Sequence, residues 1–196
     1  MSRFLRDGGR VALPDSRLLV WSVAEGRRGR RWRTLVSGGV ARGGETAGGG
    51  GTFARGLLLE VDLAGRPTRL ELTTPAGLLT LHPEPDGRSI HGNVVSPTGV
   101  RPLAFAWSPD HELAVADDAI AIGLALHRRR GTVGPGESVE LPVLAIDPEL
   151  EVAEGHLMVT RTSEDGWLLV GSSGERRIVA LDRDGVPASD ERWPLE

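Results

Sequence analysis

The segment Asp117–Gly131 constrains the fold more than any other part of the chain. Its residues Ala119–Leu126 carry no polar side chain, and arginines 128–130 follow them. Aspartate caps the free N–H groups at a helix start, arginine complements the negative end of the helix dipole, and glycine provides a left-handed stop. The pattern predicts a helix over about 118–129. Because this helix is apolar on every side, it must be enclosed by other structure.

A strand is the alternative for the same segment. Large residues at positions 120, 122, 124 and 126 alternate with alanine or glycine, which gives a period of two. Alanine and glycine are poor strand formers, however, and the flanking charges fit helix ends. A helix is therefore the favoured interpretation. The run is also shorter than the roughly 20 residues that a bilayer span needs, so no stable membrane insertion is expected.

Composition limits the function classes. The 196 residues suit a single domain, 1–196, and the net charge of −4 gives no indication of nucleic-acid binding. The chain contains no cysteine, and all 23 of its basic residues are arginine. Disulfides, thiolate chemistry and lysine Schiff bases are therefore excluded.

Two segments are predicted to lie outside the packed domain. Residues 1–15 are charged and glycine-containing and end in Pro14-Asp15, which indicates a flexible N-terminal arm. They contain no apolar stretch of the kind found in signal peptides, so a cytoplasmic location is expected. Residues 37–51 form a glycine-rich segment that lacks the phosphate-binding lysine motif, which indicates a flexible loop.

Short alternating runs occupy most of the remaining chain. Residues 55–63, 68–73 and 78–82 are separated by turns that contain glycine or proline, and the runs recur about every ten residues. This spacing predicts antiparallel sheet arranged as a meander, barrel or roll. The predicted fold class is therefore mainly β, with one buried helix.

A basic cluster at 27–33 contains five arginines around Trp32. One interpretation is an anion-binding patch with an aromatic ring for stacking. The other is a hairpin turn whose arginines are solvated, and the acidic net charge favours it.

No set of residues typical of a catalytic site is evident in the sequence. Asp117 and Asp118 are adjacent, so on a helix they point about 100° apart and cannot act as an acid and base pair. His82, His91 and His111 could meet near turns, but the short ligand spacing of common zinc sites is missing. We therefore assign no catalytic residue, metal ligand or cofactor and expect a protein that is not an enzyme.

Several short motifs resemble the glycolipid-binding family of bacterial proteins. An apolar stretch ends in paired arginines, a glycine- and proline-containing turn and a strand follow, and two further motifs come later. The residues that carry this resemblance are Leu18–Trp21, Leu126–Arg129, Gly134–Ser138, Asp147–Val152 and Ile178–Val186. The resemblance implies a spiral β-roll, in which antiparallel strands wrap around a single central helix, and it implies a homodimer. One departure is Ala119–Leu126, which replaces a polar, asparagine-bearing segment.

The resemblance gives two function hypotheses. In the first, the protein binds a lipid or glycolipid in an apolar cavity between sheet and helix. His127, Arg128 and Arg129 would then hold the head group, since guanidinium grips phosphate or carboxylate through two hydrogen bonds, while Leu124 and Trp107 would contact the tail. In the second, the same apolar residues fill a core, and the protein is a structural or homodimeric interaction module.

Overall fold

The fold of the chain is seen in a computed structural model that describes residues 8–12, 18–37, 53–116, 118–182 and 185–193. Eight strands form one antiparallel sheet, sheet A, in which each strand pairs with the next along the chain. The strands of sheet A are β1 (Gly8–Ala12), β2 (Leu18–Gly26), β3 (Gly29–Ser37), β4 (Phe53–Asp62), β5 (Pro67–Thr74), β6 (Gly77–Pro83), β7 (Ser89–Ser96) and β8 (Gly99–Ala106).

Six strands form a second sheet, sheet B, and helix α1 (Ala119–Arg129) lies between its first two strands in the sequence. The strands of sheet B are β9 (Glu112–Val115), β10 (Ser138–Ile146), β11 (Val152–Arg161), β12 (Gly166–Val170), β13 (Arg176–Leu181) and β14 (Pro187–Trp193). β9 to β14 are neighbours in sequence order. The prediction of a mainly β chain with one helix is confirmed for the described residues.

The helix prediction for 118–129 is confirmed, and the strand alternative is wrong. Asp118 is the N-cap, and its Oδ1 accepts hydrogen bonds from the backbone N–H of Ile120 at 2.9 Å and Ala121 at 3.1 Å. Asp117 lies outside the described residues. The helix ends differently from the prediction, because Arg130 keeps helical dihedrals and Gly131 does not adopt a left-handed conformation.

Asp118 also joins the helix to sheet A. Its Oδ2 accepts a hydrogen bond from Thr34 Oγ1 at 2.7 Å and lies 3.5 Å from Nη2 of Arg55. The Asp118 side chain is fully buried, and an unpaired carboxylate would be costly there. Partners on β3 and β4 therefore fix the start of the helix against the larger sheet.

The pairing of β9 with β10 departs from the predicted antiparallel arrangement. These two strands are parallel, and α1 is the crossover that connects them. Parallel neighbours need such a crossover, because a hairpin can join only antiparallel strands. The βαβ unit explains why an enclosed helix occurs in an otherwise all-β chain.

Two clusters of buried side chains form the core. The first combines the inner face of sheet A with Leu113, Val115, Leu144 and Ile146, and the second combines the other face of β10 with β11, β12 and β13. Strands β9 and β10 thus lie between the clusters. Helix α1 contributes to both, and its core residues are Ile120, Ala121 and Leu124 in the first cluster and Ile122, Ala125 and Leu126 in the second.

The two segments predicted to be flexible have different outcomes. Within the predicted arm 1–15, Gly8–Ala12 form strand β1, which pairs with β2, so this part of the arm prediction is wrong. Alternation is hard to recognise in a five-residue strand that begins with two glycines. Of the predicted loop 37–51, Ser37 ends β3. Residues 38–51 lie outside the described part of the chain.

Candidate functional site

Four of the five predicted ligand residues are divided between two clefts at the C-terminal end of α1, and Arg129 lines neither of them. Leu124, His127 and Arg128 line a cleft of about 450 Å³ beside the β2–β3 turn. Trp107 lines a neighbouring cleft of about 290 Å³, which Arg128 also borders. Arg128 therefore contributes to both clefts, whereas Leu124 and Trp107 do not share one.

Two of the arginines at this helix end form ion pairs with a buried carboxylate. Glu112 is 1% exposed, and its Oε1 accepts hydrogen bonds from Nη2 of Arg128 and, at 3.4 Å, from Nη2 of Arg129. We call Glu112, Arg128 and Arg129 the helix-end cluster. Burial raises the pKa of Glu112 above its ordinary value, and the two guanidinium groups offset part of this shift. Glu112 was not singled out from the sequence, because nothing in the dipeptide His111-Glu112 marks it as buried.

Further contacts tie the same arginines to the protein backbone. Arg128 donates from Nη1 to the carbonyl oxygen of Gly65 at 3.2 Å, and Arg129 donates from Nη2 to that of Asp110 at 3.2 Å. Arg130 pairs with Asp165 at 2.8 Å. The guanidinium groups therefore hold the helix end in place, which weakens their assignment to a ligand head group.

The two predicted apolar contacts are also integrated into the fold. Leu124 is buried in the first core cluster. Trp107 is 9% exposed and stacks on His111, with ring centroids 5.3 Å apart. Neither side chain lines a further, apolar cleft beside sheet B.

That cleft, which we call the sheet B cleft, has a volume of about 500 Å³. Ile122 of α1 forms one wall, and residues from β9 to β13 form the rest. It lies on the same face of sheet B as the second core cluster, whose Leu169 it shares. Such a volume is within the range of small-molecule sites, about 300 to 1,000 Å³.

A row of small side chains creates the space. Ala114, Ala145 and Ala153 are direct cross-strand neighbours on β9, β10 and β11, and all three line the cleft. Further along the same face, Leu141 and Val159 fill the equivalent positions with core side chains. The cleft begins where leucine and valine give way to alanine.

Charged residues border both ends of the cleft. The β10–β11 turn brings Asp147 and Glu151, and the β12–β13 turn and the start of β13 bring Glu175, Arg176 and Arg177. β12 ends opposite Met158 of β11, so Glu175 and Arg176 lie level with Leu157. Asp147 lies level with Glu151, six positions earlier on the chain. The cleft is therefore charged at both ends and apolar between them, where Ala145, Ala153 and Ile122 line it.

The end of the cleft at the β10–β11 turn is held by local hydrogen bonds and by a contact with sheet A. Arg101 of β8 pairs with Glu151 at 3.0 Å and donates to the carbonyl oxygen of Leu150 at 3.1 Å. Leu150 has a φ of +67°, which is unusual for a bulky residue, and its side chain is fully buried. Asp147 Oδ1 accepts a hydrogen bond from the N–H of Glu151 at 2.9 Å. These contacts fix the shape of the β10–β11 turn.

The basic cluster at 27–33 does not expose its aromatic residue to solvent. Trp32 is buried in the core against Trp21, with ring centroids 5.6 Å apart, so it cannot stack on a ligand base. Arg30 pairs with Glu25 at 2.8 Å, and Arg31 donates to Glu60 at 2.6 Å. Four of the five arginines, all except Arg33, border a polar cleft of about 860 Å³ at the β2–β3 turn.

The three histidines considered as metal ligands do not come together. His82 and His91 are cross-strand neighbours on β6 and β7. His111 lies next to Trp107, and its Nδ1 is 2.8 Å from Ser108 Oγ. Within the described ranges, no group of three histidine or acidic side chains is arranged to hold a metal ion.

Comparison with known proteins identifies the fold. No family model matches the chain, and no curated protein matches it. A solved structure of a DUF1089 family protein from Pseudomonas aeruginosa matches 100% of this chain and 98% of its own, with a TM-score of 0.58 and 17% sequence identity. In the described part of the chain, no helix has the length and apolarity to cross a bilayer. At 17% identity, the likeness shows that the two proteins have the same fold.

Proposed function

We propose that this protein binds a lipid, with the apolar part of the ligand in the sheet B cleft. The observation that carries the proposal is the cleft itself, an apolar surface groove of about 500 Å³ with charged side chains at its ends. An amphiphile has the same division, with a hydrocarbon part that gains from burial and a polar part that stays hydrated. The ligand site that we propose therefore lies beside Ile122 of α1, and not at the C-terminal end of the helix where the sequence predicted it.

We further propose that the protein is a binding protein and not an enzyme, and that its ligand is a glycolipid or a related lipid. Alanine, leucine and isoleucine line the cleft interior and cannot act as nucleophiles or general bases. The resemblance of short motifs to the glycolipid-binding family supports this ligand class. On the same resemblance, we propose that the two sheets wind around α1 as a spiral β-roll, which agrees with the contribution of the helix to both core clusters.

Lipid extraction tests the proposal. The wild-type protein, purified from its own host, is extracted with organic solvent, and the extract is analysed by mass spectrometry. Ala145→Trp should greatly reduce the bound lipid, because Ala145 is part of the cleft floor and an indole would fill the space above it. The matched control is Ala104→Trp on the exposed outer side of β8. Equal lipid in both variants, or none in the wild type, would contradict the proposal.

A second candidate function, a homodimeric interaction module, is favoured by an exposed apolar row. Five of the seven large hydrophobic side chains that are exposed in the described ranges lie on one line across the outer face of sheet A. Gly56 and Thr73 occupy the two positions of this row on β4 and β5. The five exposed residues are Val20, Leu35, Leu78, Val95 and Val100. An exposed row of this kind marks an interaction surface.

The occupant that we propose for this row is a second copy of the chain. On the adjacent row, Arg33 and Glu71 flank Leu58 on either side. A twofold axis through Leu58 brings Arg33 of one copy opposite Glu71 of the other, and isologous contacts of this kind are the commonest in homodimers. Sedimentation velocity should then show a wild-type dimer and a Leu78→Arg monomer, with Met158→Arg on β11 as the exposed control. A wild-type monomer would exclude this candidate.

A further inference from the structure

Charge is divided unequally between the two parts of the chain. Residues 1–106, which contain all the strands of sheet A, carry 15 arginines and nine acidic residues. Residues 107–196, which contain helix α1 and all the strands of sheet B, carry eight arginines and 18 acidic residues. The formal charges of the two parts are therefore +6 and −10, with histidine counted as neutral. Such an asymmetry indicates that the first part interacts with an anionic partner.

Two arginines of the first part are free to bind an anion. Arg27 and Arg28 form the tip of the β2–β3 turn, and both are exposed. Within the described ranges, neither side chain has a hydrogen-bond or ion-pair partner, whereas the neighbouring Arg30 is paired with Glu25. A solvated guanidinium group without a carboxylate partner can bind two oxygens of a phosphate group.

The β4–β5 turn places an apolar side chain beside these arginines. The two turns are neighbours, because Gly29 and Asp62 are register partners and both turns border the cleft of about 450 Å³. Leu63 has the most exposed large hydrophobic side chain of the described ranges, at 81%. Asp62 Oδ1 accepts hydrogen bonds from the backbone N–H of Ala64 and of Arg66, both at 2.8 Å. These bonds fix a turn that exposes the side chains of Leu63 and Arg66 to solvent.

We propose that Arg27, Arg28, Leu63 and Arg66, which we call the turn surface, bind the protein reversibly to an anionic membrane. The guanidinium groups bind lipid phosphates, and the Leu63 side chain enters the boundary between head groups and acyl chains. A nucleic acid fits this surface less well. Trp32, the aromatic residue of the basic cluster, is buried and cannot stack on a base, and an exposed leucine gains nothing from a hydrated phosphate backbone.

The turn surface is separate from the sheet B cleft, with which it shares no residue. It ends at the β6–β7 turn, where Glu84 and Asp86 would be repelled by anionic lipids. Binding to a membrane surface goes beyond the binding of one lipid in the cleft. Lipid extraction and membrane binding can therefore fail independently.

Vesicle flotation tests the proposal. The wild-type protein is mixed with vesicles of phosphatidylcholine, either alone or with about one third phosphatidylglycerol, and the floated fraction is measured. The protein should bind the anionic vesicles about tenfold or more tightly than the neutral ones. Added salt should reduce the difference, because ions screen exposed charges. Equal binding to both kinds of vesicle, or no binding to the anionic ones, would overturn the proposal.

Two matched pairs of variants assign the binding to the turn surface. Arg28→Glu should weaken binding to anionic vesicles about tenfold, since it replaces a cation by an anion. Arg10→Glu makes the same change at an exposed position of β1 and should have a much smaller effect. Leu63→Ser should weaken binding about fivefold, whereas Met158→Ser, at an exposed position of β11, should not. Thermal melting of the four variants controls for loss of folding.

Three further outcomes would also overturn the proposal. Equal losses in Arg28→Glu and Arg10→Glu would mean that net charge, and not the turn surface, governs vesicle binding. Unchanged binding of Leu63→Ser would show that no apolar side chain enters the membrane. Binding of a single-stranded oligonucleotide that depends on Arg28, without binding of vesicles, would assign the arginines to a nucleic acid instead.

Discussion

The helix-end cluster and the sheet B cleft both combine charged side chains with apolar surroundings, but in opposite ways. In the cluster, the Glu112 carboxylate is buried and its charge is compensated by Arg128 and Arg129. In the cleft, the charged groups lie at the two ends and the floor between them remains apolar. The difference teaches that a charged motif indicates a ligand site only where the fold leaves space beside it. In this protein, that space lies beside alanines.

The largest expected effect is that of Leu124→Asp at the helix end. Leu124 is 7% exposed in the core, so the new carboxylate would be buried without a partner, at a cost of about 4 kcal/mol or more. We expect no cooperative thermal transition for this variant in circular dichroism. Ala145→Asp introduces the same group at an exposed position of the cleft and should melt within a few degrees of wild type. Similar melting of both variants would remove the distinction between the two regions.

Glu112→Ala is expected to have the next largest effect. It leaves two partly buried guanidinium groups without their shared carboxylate, which should lower the free energy of unfolding by about 3 kcal/mol. Urea denaturation measures the loss, and Glu149→Ala in the exposed β10–β11 turn should change stability by less than about 0.5 kcal/mol. A loss of bound lipid without a loss of stability would instead place a ligand at the helix end.

A smaller and pH-dependent effect is expected for Glu112→Gln. Because the pKa of Glu112 is raised in the folded protein, its contribution to stability is fully present below the pKa of the unfolded chain and is lost as pH rises through the folded pKa. Glutamine keeps an oxygen for the arginines and cannot ionise. As the pH rises from about 4 to about 8, the free energy of unfolding of the wild type should therefore fall relative to that of Glu112→Gln. Urea denaturation at both pH values checks the sign, and a constant difference would contradict it.

The smallest change in stability is expected at the end of the cleft where β13 begins. Arg176 is exposed, so Arg176→Ala should alter the free energy of unfolding by less than about 0.5 kcal/mol. Its guanidinium borders the cleft, and its loss should weaken binding of an amphiphile a few-fold. Displacement titrations of the two proteins measure this change. Identical affinities would show that the head group lies away from Arg176.

The sequence predicts the helix well because Asp118 and the arginines mark its ends, and the short alternating runs predict the antiparallel strands. The parallel pairing of β9 with β10 could not be predicted, since β9 has only four residues and its partner follows the helix. The strand Gly8–Ala12 was missed for a similar reason. Short strands carry too little alternation to be told from loops.

The candidate site was harder to predict than the fold. Arg128 and Arg129 are conspicuous in the sequence, but their partner Glu112 is revealed only when β9 is placed beside the helix end. The alanines of the cleft floor are separated by about 30 and 8 residues along the chain and become a row only through strand register. A single alanine is an unremarkable residue. Three aligned alanines with larger neighbours make a cavity.

The position of β9 and β10 between the two core clusters has a consequence for folding. Their parallel contact closes a loop that contains all of α1, and such non-local contacts form slowly. Neither cluster is complete until this pair has formed, because each cluster uses one face of β10. The two sheets therefore depend on the same late event and should unfold in one cooperative transition, although the element order could suggest two independent halves.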